Sequence, residues 1–113
     1  IRYSDGEKNI PSEVIRRDFV SHDVMDILRE GMRQVVESGT AQTLKELPVS
    51  VAGKTGTAQF GNEEKTHAWF ISFAPYYDPQ IAMAVLVEGG GEGHSAAVPV
   101  TRDVYQWYFG DRQ

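Results

Sequence analysis

The sequence predicts an α+β fold in which an N-terminal and a C-terminal helix pack on an antiparallel three-stranded meander. Apolar residues recur at helical spacing over about 21–38, and three strand-like segments follow at about 49–59, 68–74 and 80–88. The loops between these segments have hairpin length, which favours antiparallel neighbours. The closing helix is expected at about 96–109.

Sequence signals indicate the start, the apolar face and the end of the first helix. Ser21 stands where its hydroxyl can accept a hydrogen bond from a first-turn amide, as N-cap residues do. Gly31 lies on the apolar face and suggests close approach of a neighbouring element, and Gly39 is the expected stop. A further helical turn is expected within 40–47, before Pro48. The apolar residues that share the helix face are Val20, Val24, Ile27, Leu28, Met32, Val35 and Val36.

The three strand-like segments differ in composition. The first is rich in Val and Thr, the second contains Trp-Phe-Ile-Ser-Phe, and the third is the continuous apolar run Ile81 to Val87. Such a run is expected for a strand that is covered on both faces. The segment Gly89 to Gly93 then leads into the closing helix. The aromatic residues expected in the core are Trp69, Phe70, Phe73, Trp107 and Tyr108.

Length and composition indicate a single unit, residues 1–113, and argue against several classes of function. A net charge of −5 without any basic run argues against a nucleic-acid or anionic-membrane partner. With no Cys there is no disulfide, thiol nucleophile or cysteine metal site. His22, His67 and His94 lack metal-ligand spacing, so neither a metal nor a cofactor is expected. Because the chain starts at Ile1 without Met, we expect a piece of a longer protein.

Gly53-Lys54-Thr55 resembles the end of a nucleotide-binding P-loop, but the neighbouring residues argue against one. That pattern needs a Gly at the position of Pro48 and a helix that starts near the Lys. The flanking Val and Thr residues favour extended backbone, with Lys54 on one face and Thr55 and Thr57 on the other. At a sheet edge such a strand could pair with an extended peptide while these side chains reach an anion. A solvent-facing strand with a chance Lys-Thr-Gly is the simpler alternative.

Residues 54–57, Lys-Thr-Gly-Thr, with Val-Ala-Gly before them and Ala-Gln after them, resemble the Lys-Thr-Gly box of penicillin-binding proteins. The resemblance covers nearly the whole chain, and it is strongest to the transpeptidase domain of class B enzymes of the cell-elongation type, penicillin-binding protein 2-like. The other segments that carry it are GMRQVVESGTA (31–41), HAWFISFAP (67–75), IAMAVLVEGG (81–90) and SAAVPVTRDVYQWYF (95–109).

The resemblance implies a peptidoglycan D,D-transpeptidase. In this family a serine attacks the D-Ala-D-Ala end of a stem peptide, D-Ala leaves, and the amine of a second stem peptide resolves the acyl-enzyme. β-Lactams acylate the same serine. The family's other motifs, Ser-x-x-Lys and Ser-x-Asn, are absent, because none of the seven serines has Lys three residues on or Asn two residues on. We therefore expect the C-terminal portion of a transpeptidase domain, inactive alone because it lacks a nucleophile.

The resemblance also implies roles for the residues of the box. Lys54 would serve catalysis and bind the substrate carboxylate, and the hydroxyls of Thr55 and Thr57 would contact that carboxylate. The backbone N–H of Thr57 would be one donor of the oxyanion hole, and Gly56 would keep the strand open to the incoming peptide. His67, which precedes the next strand, is a candidate for the wall of the cleft.

Partners and location follow from the resemblance alone. The expected partners are the peptidoglycan stem peptide, β-lactams, the missing N-terminal part of the domain and proteins of a cell-elongation complex. The parent protein would be anchored in the cytoplasmic membrane with this part outside. In the family an N-terminal strand pairs with the one that matches Ile81 to Val87, a place that Ile1 to Ser4 could take. The alternatives are a non-catalytic binding or sensor module on the same scaffold and, less favoured, a β-lactamase relative.

Overall fold

The computed structural model describes residues 2–3, 6–7, 11–61 and 65–110 and has the α+β fold predicted from the sequence. A three-stranded antiparallel sheet has a helix before it and a helix after it. The elements are β1 (Arg2–Tyr3), β2 (Gly6–Glu7), α1 (His22–Glu37), β3 (Ala52–Phe60), β4 (Lys65–Ala74), β5 (Ile81–Val87) and α2 (Gly93–Tyr105). A 3₁₀ turn, Gln42–Glu46, follows α1, and a π-helical turn, Gln106–Gly110, follows α2.

The boundaries of three elements differ from the sequence prediction, and the first of these, β3, begins at Ala52 rather than near residue 49. β4 begins at Lys65 rather than near residue 68, because its pairing with β3 continues until Phe60 lies opposite Lys65. α2 begins at Gly93 rather than near residue 96, so the end of the Gly-rich segment is already helical. The helical turn predicted within 40–47 is confirmed as the 3₁₀ turn.

The sheet has the order β3-β4-β5, and β4 is its central strand. Gly56 of β3 lies opposite Trp69 of β4, which fixes the register of the first hairpin. β1 pairs with β2 in a separate small sheet. The suggestion that Ile1 to Ser4 lies beside β5 is therefore wrong for Arg2–Tyr3, and the other two residues lie outside the described part of the chain. Within that part, β3 and β5 are the edge strands.

α1 has the predicted N-cap at Ser21, but the close contact predicted at Gly31 is absent. The Ser21 hydroxyl accepts a hydrogen bond from the Val24 amide at 3.4 Å. A Cβ on Gly39 would lie 2.8 Å from the Val35 Cα, so the chain leaves the helix by passing tightly against its last turn. Gly31 was expected at a close contact, but a Cβ there would meet no atom within 4 Å. Neither described helix is long and apolar enough to cross a membrane.

The core lies between one face of the sheet and α2, with the 3₁₀ turn and the C-terminal end of α1 closing it. Phe70 of β4 and Tyr105 of α2 are its largest fully buried side chains. The Tyr105 hydroxyl and the Ser72 hydroxyl form a buried hydrogen bond of 2.9 Å, so both polar groups are satisfied inside the core. The other buried apolar residues of this cluster are Val36, Ala41, Leu44, Leu47, Val51, Ala68, Ala74, Ala97 and Val98.

The opposite face of the sheet is open, contrary to the prediction that β5 is covered on both faces. Along β5 the half-buried and exposed residues alternate, with Leu86 on the exposed side. Its neighbours Trp69 and Ile71 on β4 are 38% and 47% exposed. α2 packs on the other face, and α1 lies beside β3 with an open cleft between it and Ile71, so these side chains stay exposed. The aromatic prediction is accordingly confirmed for Phe70 and wrong for Trp69.

Trp107 is also more exposed than predicted. It lies in the π-helical turn after α2 with 55% of its surface exposed. Tyr108 and Phe73 are half-buried. These aromatic residues therefore surround the core rather than fill it, and Phe70 and Tyr105 provide its centre.

The Ser72–Tyr105 pair generates a stability prediction. Burial raises the pKa of Tyr105, and the hydrogen bond from Ser72 opposes that rise in part. Below pH 10 the tyrosine is neutral in both the folded and the unfolded chain, so its contribution to stability is constant. Above pH 10 the unfolded chain loses this proton first, so the free energy of unfolding falls as pH rises. Tyr105→Phe should lower that free energy by about 1–2 kcal/mol at neutral pH, because it leaves Ser72 unpaired, and should remove this part of the alkaline decline.

Urea unfolding of both proteins from neutral pH to above pH 10 measures both effects. Replacing Ser72 as well, by Ala, should restore part of the loss at neutral pH, because no buried hydroxyl is then left unpaired. Parallel pH profiles for the wild type and Tyr105→Phe would contradict the assignment.

Candidate functional site

The Lys-Thr-Gly-Thr residues 54–57 lie within β3, in extended backbone at the edge of the described sheet. Their register opposite Ile71 to Ala68 of β4 places successive side chains on opposite faces. Lys54 and Gly56 thus share the open face with Trp69, whereas Thr55 and Thr57 share the core-side face. No helix begins at this segment, so the interpretation as a P-loop is excluded by the backbone itself.

Lys54 is exposed and lies beside a cleft between α1 and the open face. Its Nζ donates a hydrogen bond of 2.7 Å to the backbone carbonyl of Thr55, which leaves two of its three N–H donors available. The cleft has a volume of about 770 Å³ and a largely apolar lining. Its lining residues are Met25, Ile27, Leu28, Arg29, Gly31, Met32 and Val35 from α1 and Lys54, Ile71 and Phe73 from the sheet.

The two threonines of the segment have different surroundings. The Thr55 hydroxyl lies 2.9 Å from the hydroxyl of Thr40, which follows α1, and Thr55 is half-buried. Thr57 is exposed. Sequence reasoning missed the contact with Thr40. Its only signal was the presence of Thr40 in the segment 31–41 that resembles the family, and no local pattern links it to a strand 15 residues away.

Two glycines, Gly53 and Gly93, let other groups approach the segment at distances that a side chain would prevent. Gly53 lies over the Phe70 ring, where a Cβ would come within 2.3 Å of a ring carbon. Gly93, at the start of α2, lies on the backbone of Gly56: a Cβ on Gly93 would be 2.4 Å from the Trp69 carbonyl oxygen and 2.7 Å from that of Gly56. α2 therefore supports β3 directly beneath the site. A Cβ on Gly56 would meet only the Trp69 Cβ, at 3.4 Å.

His67 packs against Phe60 and the Gly-rich segment, and its place in the wall of a substrate cleft stays a prediction. Its ring stacks on Phe60 at a centroid distance of 3.9 Å, and its Nδ1 accepts a hydrogen bond from the Gly89 amide at 3.1 Å. Thr66 adds a hydrogen bond from its hydroxyl to the Gly91 carbonyl, at 2.8 Å. These contacts fix the Gly-rich segment against β4, just before Gly93 meets the site. His67 is not among the residues that line the cleft of Lys54.

The other two histidines each lie in the first turn of a helix. His22 is exposed in the first turn of α1, as predicted. His94 is in the first turn of α2, with its Nδ1 3.1 Å from a carboxylate oxygen of Glu92. Within the described residues no group of three His, Asp or Glu side chains is placed to hold a metal ion.

Comparison with known proteins points to one family. The family model for the penicillin binding protein transpeptidase domain matches residues 3–106. The peptidoglycan D,D-transpeptidase MrdA of Haemophilus influenzae is 33% identical over an alignment 101 residues long, and the match covers 74% of this chain and 16% of that protein.

Two solved structures are similar in fold and sequence. PBP2 of Pseudomonas aeruginosa, in complex with WCK 5153, has a TM-score of 0.78 at 34% identity and covers 96% of this chain and 25% of its own. The ceftriaxone acyl-enzyme complex of penicillin-binding protein A from M. tuberculosis has a TM-score of 0.66 at 39% identity, and the match covers 75% of this chain and 21% of its own. This chain therefore spans only a small part of the length of the proteins that it matches.

The contact of Gly93 with Gly56 generates a prediction. Gly93→Ala should lower the free energy of unfolding by about 1–3 kcal/mol, because the added methyl group meets two backbone carbonyls that cannot move independently. Chemical denaturation measures the change. Gly31→Ala is the matched control: its methyl group enters open space in a helix and should raise stability by up to about 1 kcal/mol. A Gly93→Ala variant as stable as the wild type would show that α2 does not rest on β3.

Proposed function

This chain belongs to the penicillin-binding protein transpeptidase domain family, and from that premise we propose that it provides the Lys-Thr-Gly strand of a peptidoglycan D,D-transpeptidase site. The observation that carries the proposal is the extended 54–57 segment on an edge strand of the described sheet. An edge strand has backbone N–H and C=O groups that face away from its neighbour, and an extended peptide can pair with them.

In this proposal Lys54 from one face of β3 and Thr55 and Thr57 from the other reach round the strand edge to the terminal carboxylate of the stem peptide. A carboxylate only accepts hydrogen bonds, and these three side chains can all donate. Lys54 supplies the positive charge, and its two remaining N–H donors support this role. The net charge of the whole chain is −5, so the attraction is local to this edge rather than a property of the surface.

The backbone N–H of Thr57 acts as one donor of the oxyanion hole. A donor fixed in a strand needs no reorganisation when negative charge develops on the reacting carbonyl, and such a donor typically contributes about 100- to 1,000-fold in rate. Because Gly56 has no side chain, there is a gap on the open face between Lys54 and the next residue on that face. The fold itself would accept a methyl group there, so packing alone does not require a glycine at this position.

The nucleophile comes from outside these 113 residues. In the proposed reaction a serine oxygen attacks the carbonyl between the two D-Ala residues, the terminal D-Ala leaves with a proton, and the amine of a second stem peptide displaces the serine. Ser-x-x-Lys and Ser-x-Asn are absent from the sequence, so this chain alone should not react with a β-lactam.

The same proposal predicts where the whole protein is located and which proteins it binds. We place the transpeptidase domain outside the cytoplasmic membrane, to which the protein is anchored, because its stem-peptide substrate belongs to the cell wall. Proteins of a cell-elongation complex are the proposed partners, since the relatives include MrdA and PBP2.

Acylation of the complete gene product by a fluorescent penicillin tests this function. Lys54→Met should lower the second-order acylation rate by about 10- to 100-fold, because a hydrogen bond to a charged group contributes about 1.5–3 kcal/mol. Lys45→Met is the matched control, since Lys45 is exposed on the 3₁₀ turn and bonds the Glu37 carbonyl at 3.2 Å. It should label at the wild-type rate.

The alternative, a non-catalytic binding module on the same scaffold, predicts that the complete wild-type protein is not labelled at all. That result would reject the transpeptidase. Equal labelling of Lys54→Met and the wild type would reject the role given to Lys54.

A further inference from the structure

Thr40 contacts the 54–57 segment from a separate element. Its Oγ1 lies 2.9 Å from the Oγ1 of Thr55, and either hydroxyl can be the donor. Thr57 has the same side chain on the same face of β3 but is exposed. Thr55 therefore differs from Thr57 in a way that matters for ligand binding. Its side chain is held by a hydrogen bond with a second hydroxyl.

The backbone around Thr40 is held on both sides. Gly39 passes against the Val35 backbone at a distance that excludes a side chain. Ala41 is fully buried, and its amide donates a hydrogen bond of 3.1 Å to the Val35 carbonyl. The intervening Thr40 is thus fixed between the end of α1 and the core. Thr40 itself is exposed, and these backbone contacts on either side of it place its hydroxyl next to β3.

The number of available protons determines the direction of this hydrogen bond once a ligand is present. Each hydroxyl has one proton to donate, and a carboxylate can only accept. When Thr55 donates to a carboxylate, it has no proton left for Thr40. Thr40 must then donate to the Thr55 oxygen, which gives the chain Thr40 to Thr55 to carboxylate. Such a chain also strengthens the second bond, because accepting a hydrogen bond polarises the Thr55 hydroxyl and makes it a better donor.

We propose that Thr40 is a positioning residue for the ligand carboxylate, which it serves by donating to Thr55 and holding that hydroxyl in its donating rotamer. The inference rests on the proposed function, since it takes the carboxylate to bind at residues 54–57. Thr40 itself does not touch the ligand.

The test compares two penicillin probes, one with its free carboxylate and one with that carboxylate methylated, on the complete gene product. Thr40→Val keeps the shape of the side chain and removes the hydroxyl. It should lower the second-order acylation rate of the free acid by about 3- to 10-fold, the usual effect of one neutral hydrogen bond. The rate of the methyl ester should not change, because the ester lacks the charge that Thr55 is positioned to bind.

Two further variants control for structure. Thr40→Ser keeps the hydroxyl and should retain the wild-type preference for the free acid. Thr43→Val makes the same substitution on the exposed side of the neighbouring 3₁₀ turn, and it should leave both rates unchanged.

The outcomes separate this inference from the proposed function. A wild-type protein that neither probe acylates rejects the transpeptidase and, with it, a role for Thr40. A labelled wild type with a Thr40→Val variant that keeps the full preference for the free acid overturns this inference alone. The same holds if Thr40→Val slows both probes equally, since that is the effect of a residue that only supports the fold.

Discussion

The structure depends on one strand that is hydrogen-bonded along a single side. β3 pairs with β4 over nine residues, and within the described part of the chain no strand lies along its other edge. A free edge is normally a hazard, because it invites pairing with other chains. Here the edge carries a Lys, two Thr and a Gly in its middle, so it is polar and unobstructed. The same feature that invites unwanted pairing gives an extended peptide ligand a place to bind.

The rest of the fold contacts β3 from the core side and at its start, and these contacts leave its outer edge free. Gly93 brings the start of α2 against the Gly56 backbone, and the Phe70 ring fills the space under Gly53. At the start of β3, Arg33 of α1 donates a 2.7 Å hydrogen bond to the Val51 carbonyl. Thr40 adds a contact at the middle of the strand. These contacts, from α2, β4, α1 and the segment that follows α1, support a strand that has glycine at two positions.

Features encoded by neighbouring residues could be predicted from the sequence, and features that depend on distant contacts could not. The Ser21 cap, the helix it starts and the extended 54–57 segment follow from local patterns, and the structure has all three. The composition of β5 predicts burial on both faces, but burial is decided by what packs there, and among the described helices α2 is the one that packs on β5, on one face. The Thr40–Thr55 hydrogen bond is likewise tertiary, so only the fold could reveal it. The roles of Lys54 and Thr57 stay predictions that rest on family membership and edge geometry.

Amide hydrogen exchange along β3 tests the central claim most directly. In an antiparallel edge strand only alternate residues donate to the neighbouring strand, so protection should alternate along the chain. We expect the amides of Lys54 and Gly56 to be protected by β4, and those of Thr55 and Thr57 to exchange as exposed amides do. Protection of Thr57 equal to that of Gly56 would mean that its N–H is already paired, and it would contradict an edge that is open to a ligand.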